Sequence, residues 1–65
     1  MHSKIGAVPR NSLGWFRAGV GFYNKKKYHK AIECFERAIE IDPMNVRSFI
    51  DLLSAQVWNE WENLV

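Results

Sequence analysis

The side chains in this sequence that could do chemistry are few and far apart. Two histidines, His2 and His29, and one cysteine, Cys34, are spread over 65 residues. They do not form the closely spaced Cys/His pairs of a four-ligand zinc site. No histidine or acid is spaced along the chain so as to draw the proton from Cys34, which a reactive thiolate needs. His29 and Glu33 are four residues apart, a spacing that pairs them on a helix but supplies no second catalytic group. Gly19-Val20-Gly21 falls inside a helical pattern and does not follow a strand, so it is not a dinucleotide-binding fingerprint. There is no glycine-rich phosphate loop and no paired-carboxylate arrangement. The sequence therefore predicts no catalytic residues, no metal, no cofactor and no enzyme.

Composition limits what remains. Sixty-five residues, 48% of them hydrophobic, make one small domain. A chain of this size buries only about 60% of the surface its unfolded form exposes. Ordering it costs roughly 1.5 kcal/mol per residue, which burial must offset. The single cysteine excludes an internal disulfide, so a second copy is the natural staple. No apolar run approaches the ~20 residues of a membrane span. The segment before Asn11 lacks the apolar core of a signal peptide. A reducing, cytoplasmic setting is expected.

The net charge of +2 hides an asymmetry. Residues 1–30 hold seven basic residues and no acid; residues 31–65 hold two basic residues and seven acids. Separation of this kind favours head-to-tail contact or an electrostatically read partner.

Three helices would have to position anything functional. Residues 1–11, with Gly6 and Pro9, read as a flexible arm, and 12–65 as a single domain. Asn11 or Ser12 can cap a helix over about 13–25. Trp15, Ala18, Gly19 and Phe22 recur on one face of it, and Phe16, Val20 and Tyr23 on a neighbouring stripe. A second helix, about 28–41, puts Tyr28, Ala31, Ile32, Phe35, Ala38 and Ile39 on one face and a Glu33–Arg37 pair on the other. Asp42-Pro43 ends it. Asn45 caps a third helix over about 46–64. No segment reads as a strand.

The spacing Trp15, Gly19, Phe22, then Ala31, Phe35, Ala38 and Pro43 resembles the tetratricopeptide repeat pattern, W-x2-L-G-x2-Y, A-x3-F and P. The match runs from about Ser12 to Asn45, with Ala18 departing from the leucine and Phe22 replacing the tyrosine. Phe49 and Leu52 lie thirty-four residues after Trp15 and Ala18 and resemble the start of another repeat. Leu53 replaces its glycine and Gln56 its aromatic. The resemblance implies an all-α fold of α-solenoid type: an antiparallel helix hairpin followed by a long capping or half-repeat helix. Trp15, Phe22 and Phe35 would be core, with Gly19 and Ala31 letting the two backbones approach.

The resemblance also implies a non-catalytic protein–protein interaction module, a scaffold or adaptor. Phe16, Val20 and Tyr23 would line a peptide groove that Ile50, Ser54 and Val57 continue. The stripe Trp58, Trp61, Leu64 and Val65 is the expected surface for self-association or another partner, because tryptophans on an overhanging helix end are poorly placed in water. Some family members clamp a partner's C-terminal carboxylates; the corresponding positions hold Phe16, Val20 and Asp51, which argues against chaperone-tail binding. Lys25, Lys26, Lys27 and Lys30 are candidate anion contacts. A basic nucleic-acid-binding module is the alternative they would support, against the simpler reading of a solvated turn. A further alternative is a terminal piece of a longer repeat array with a purely structural role.

Overall fold

The structure, a computed structural model, describes residues 10–64. It consists of helices α1 (Arg10–Asn24), α2 (Tyr28–Ile41) and α3 (Val46–Leu64), with no strand among the described residues. α2 lies between the other two and packs against both; α1 and α3 meet sparingly. The fold is the helical hairpin with an added third helix that the spacing predicts. The expected arm lies mostly outside the described residues.

Polar residues at the ends of the helices set this path. α1 begins at Arg10, ahead of the expected start at residue 13. Ser12 does not cap it. The Ser12 hydroxyl donates to the Ala38 carbonyl at 2.8 Å and accepts from Asn45 Nδ2 at 3.0 Å. Asn45 Oδ1 in turn accepts from the Ser48 amide at 3.2 Å, which caps α3 as expected. This buried chain ties the start of α1, the end of α2 and the start of α3 together.

At the other end of the hairpin, α1 closes through a Schellman motif. The Lys27 amide reaches the Phe22 carbonyl and the Lys26 amide reaches Tyr23. Lys26 takes the left-handed position with φ 63°. α2 stops at Ile41, and Asp42 is extended, as the residue before a proline is biased to be.

The core consists of Ala31, Phe35, Leu52 and Ala55, flanked by half-buried Phe16, Val20, Phe22, Tyr23, Ile32 and Ile39. The inner face of α1 is turned relative to the expected one. It follows Ser12, Phe16, Gly19 and Tyr23, while Ala18 is exposed. Trp15, expected in the core, is 42% exposed, with the Arg37 guanidinium 5.9 Å from its ring centre. The cause is the fit at Gly19. A Cβ there would stand 2.5 Å from Cε1 of Phe35, so the missing side chain makes room for a ring rather than for another backbone. Phe16 packs beside the same ring at 5.9 Å. With Phe35 in that space, the neighbouring Trp15 is left at the edge.

The expected Glu33–Arg37 pair does not form. Glu33 meets His29 at 3.4 Å, and Arg37 turns to Glu40 at 3.9 Å and to Trp15. All of these groups are largely exposed, so the exchange carries little energy. No described helix is long and apolar enough to cross a membrane.

Candidate partner-binding surfaces

The first surface is a valley between α1 and α3, floored by Phe35 of α2. Phe16, Val20 and Tyr23 form one wall; Arg47, Asp51 and Ser54 form the other, around a volume of about 540 Å³. The Tyr23 hydroxyl and Ser54 Oγ are 2.8 Å apart and bridge the valley at one end. Arg47 Nε lies 3.4 Å from Asp51 Oδ1, so the polar wall presents a paired charge.

Four of the six expected groove residues therefore come together. Ile50 and Val57 do not line this valley, a correction that follows from helix geometry. The row of α3 that faces α1 is Arg47, Asp51 and Ser54, and Ile50 and Val57 lie roughly 70–90° around the helix from its centre. Ile50 is exposed, and Val57 lines a separate hollow with Trp58 and Trp61. Periodicity had shown α3 to be apolar on several sides but not which side faces α1.

The second surface is a cleft lined by Tyr23, Lys26, Tyr28, Trp58, Trp61 and Glu62. Tyr28 is buried at its base, edge-on to Tyr23 at 5.3 Å and stacked on Trp58 at 6.3 Å. Burial, and then the Glu62 carboxylate, push the Tyr28 hydroxyl above its ordinary pKa. Trp58 is thus partly engaged within its own chain, whereas Trp61 and Leu64 are 55% and 80% exposed. Val65 lies outside the described residues. The basic half and the acidic half of the chain meet here, since Lys26 and Glu62 line one cleft.

The four lysines have different surroundings. Lys26 borders the aromatic cleft, while Lys30 lies 5.9 Å from the Phe22 ring centre, across the hairpin. Lys25 and Lys27 are exposed on the turn. Cys34 is a free, buried thiol whose pKa is raised, chiefly by burial and then by Glu33, which opposes reactivity. Among the described residues no three His, Cys, Asp or Glu side chains cluster as metal ligands.

The third surface is the outward side of α3. Phe49, Ile50, Leu53, Val57, Trp61 and Leu64 are all exposed there. Opposite them, Ser48, Leu52 and Ala55 are buried. The expected association stripe is Trp58, Trp61, Leu64 and Val65, at the end of an apolar arc beginning at Ile50. Phe49 extends the apolar arc beyond the residues expected; its offset of thirty-four residues from Trp15 was the available signal.

Comparison with known proteins agrees with this architecture. No solved structure matches the chain. Over 46 residues it is 41% identical to the BBSome complex member BBS4 of Xenopus tropicalis, a match that takes in 71% of this chain and 9% of that protein. Residues 12–45 match the tetratricopeptide repeat. That match covers the Ser12 contact, the Gly19–Phe35 fit and the Pro43 turn, and the chain belongs to the tetratricopeptide repeat family of helical protein–protein interaction modules.

Proposed function

We propose that the chain is a non-catalytic scaffold or adaptor module that holds a protein partner and self-associates through α3. One observation carries this reading: α3 is apolar on two opposite sides, and α2 covers only one of them. An amphipathic helix buries one apolar stripe against its core, and a second apolar stripe calls for a second cover. Six large apolar side chains along one side of a 19-residue helix also exceed the scattered exposure usual on a monomer. The valley between α1 and α3 supplies a second contact site, with an apolar wall and the paired charges of Arg47 and Asp51, suited to a peptide segment. Its relative is a named member of a complex, and a role in contacts between subunits is consistent with that.

Sedimentation equilibrium over a wide concentration range tests the self-association. The expected result is a mass that rises with concentration in the wild type. Trp61→Ala should weaken the association by at least about tenfold, as truncation of a buried aromatic anchor does. A folded monomer throughout would overturn self-association and leave the valley as the partner site.

A further inference from the structure

The outward stripe of α3 has a symmetry of its own. Val46, Phe49, Leu53, Val57, Trp61 and Leu64 are each between 48 and 80% exposed. At 3.6 residues per turn they fall within an arc of about 120°. Their successive spacings are three, four, four, four and three residues, the same read from either end. A stripe with that spacing is matched to its own reverse.

We propose that this face pairs with the same face of a second copy, with the two α3 helices antiparallel about a two-fold axis near residue 55. In that register Val46 of one copy meets Leu64 of the other, Phe49 meets Trp61, and Leu53 meets Val57. The two-fold makes each contact twice, as a closed, isologous dimer requires. The proposal rests on the reading of α3 as a self-association surface and specifies how that surface is used.

Charge selects the antiparallel direction. The first turn of α3 contains Arg47 and no acid, and its last turn contains no basic residue. Glu60 and Glu62 lie near its C-terminal end. Parallel helices would set Glu60 beside its own copy and align the two helix dipoles. Antiparallel helices separate the two Glu60 side chains and oppose the two helix dipoles. Ile50 and Glu60 also fall within the band, and the register sets each against the other across the two copies, with Glu60 the one charged residue of the face.

The register is tested with complementary charges at facing positions. Leu53→Glu and Val57→Lys are prepared separately, one of them isotopically heavy, and association is followed by sedimentation equilibrium and native mass spectrometry. Both positions are exposed, and circular dichroism verifies that each variant keeps its helices. Each variant alone should associate at least about tenfold more weakly than the wild type, because both of its contacts bury an unpaired charge. Mixed, they should form a heterodimer: one contact becomes Glu against Lys and the other remains Leu against Val. Phe49→Lys mixed with Trp61→Glu repeats the test one layer out.

If both variants associate like the wild type, self-association stands and this face is not its site. If the variants weaken but the mixture does not recover, the face is used and the antiparallel register is wrong. If the wild type is monomeric at all concentrations, both the register and the self-association reading fall, leaving the stripe to a helix of another protein.

Discussion

Gly19 and the ring of Phe35 fill one space, and the three glycines of α1 differ for that reason. A Cβ at Gly19 would lie within 2.9 Å of three ring carbons. At Gly14 and Gly21 a Cβ would meet nothing within 4 Å. Gly14→Ala and Gly21→Ala should each stabilise the fold by about 0.5–1 kcal/mol through helix propensity. Gly19→Ala has the same propensity gain but forces the Phe35 ring aside, and should destabilise by about 1–3 kcal/mol. Lys26 offers the opposite case. Its φ of 63° is one that a side chain opposes, so Lys26→Gly should stabilise by about 1 kcal/mol. Urea unfolding of the four variants gives all the signs. A neutral or stabilising Gly19→Ala would show that α1 can shift away from α2 at little cost.

At the scale of the helices, each α-helix was legible because its period and its stops coincide. The aromatic and small residues of α2 recur at helical spacing, and Pro43 forces its end. What the sequence did not show was rotation about the helix axis. α1 carries two adjacent apolar stripes, and Trp15 is the larger residue. The inner position nevertheless goes to the row Ser12, Phe16, Gly19 and Tyr23, which draws on both stripes, because Ser12 finds a buried acceptor at Ala38 and Gly19 admits Phe35. The same ambiguity moved Ile50 and Val57 out of the valley. A partner for a polar residue lies twenty-six or thirty-three residues away here, beyond what local pattern can reveal.

That long-range polar chain can be measured as a unit. Ser12→Ala leaves Asn45 Nδ2 buried without its acceptor, which costs about 1–3 kcal/mol. Asn45→Ala also removes the cap on α3 and should cost a similar amount. Because the two share one hydrogen bond, the double variant should lose less than the summed single losses, by at least about 0.5 kcal/mol. A strictly additive cycle, read by urea unfolding, would mean that the Ser12–Asn45 contact does not couple α1 to α3.

Across the whole molecule, Tyr28 is where the three helices converge away from that polar end. Its ring meets Tyr23 of α1 edge-on and Trp58 of α3 face-to-face, and Glu62 adds negative charge nearby. The folded state therefore holds the phenol proton more tightly than the unfolded chain does. An unfolded tyrosine releases its proton at about pH 10. Below that pH the proton is bound in both states, and Tyr28 introduces no pH dependence. Above it the unfolded chain loses the proton first, so raising the pH favours unfolding until the folded-state pKa is passed. The stabilisation is complete below the unfolded value and is lost as pH rises through the folded one. Thermal unfolding followed by circular dichroism should show a midpoint that falls above about pH 10, and Tyr28→Phe should remove part of that fall while leaving neutral-pH stability nearly unchanged. An identical alkaline fall in the variant would place its cause in other groups, and would mean that α3 does not hold Tyr28 dry. The same desolvation depends on Trp58 remaining stacked within its own chain. The association proposed for α3 is compatible with this, because it draws on Trp61 and the outward stripe and leaves Trp58 in place.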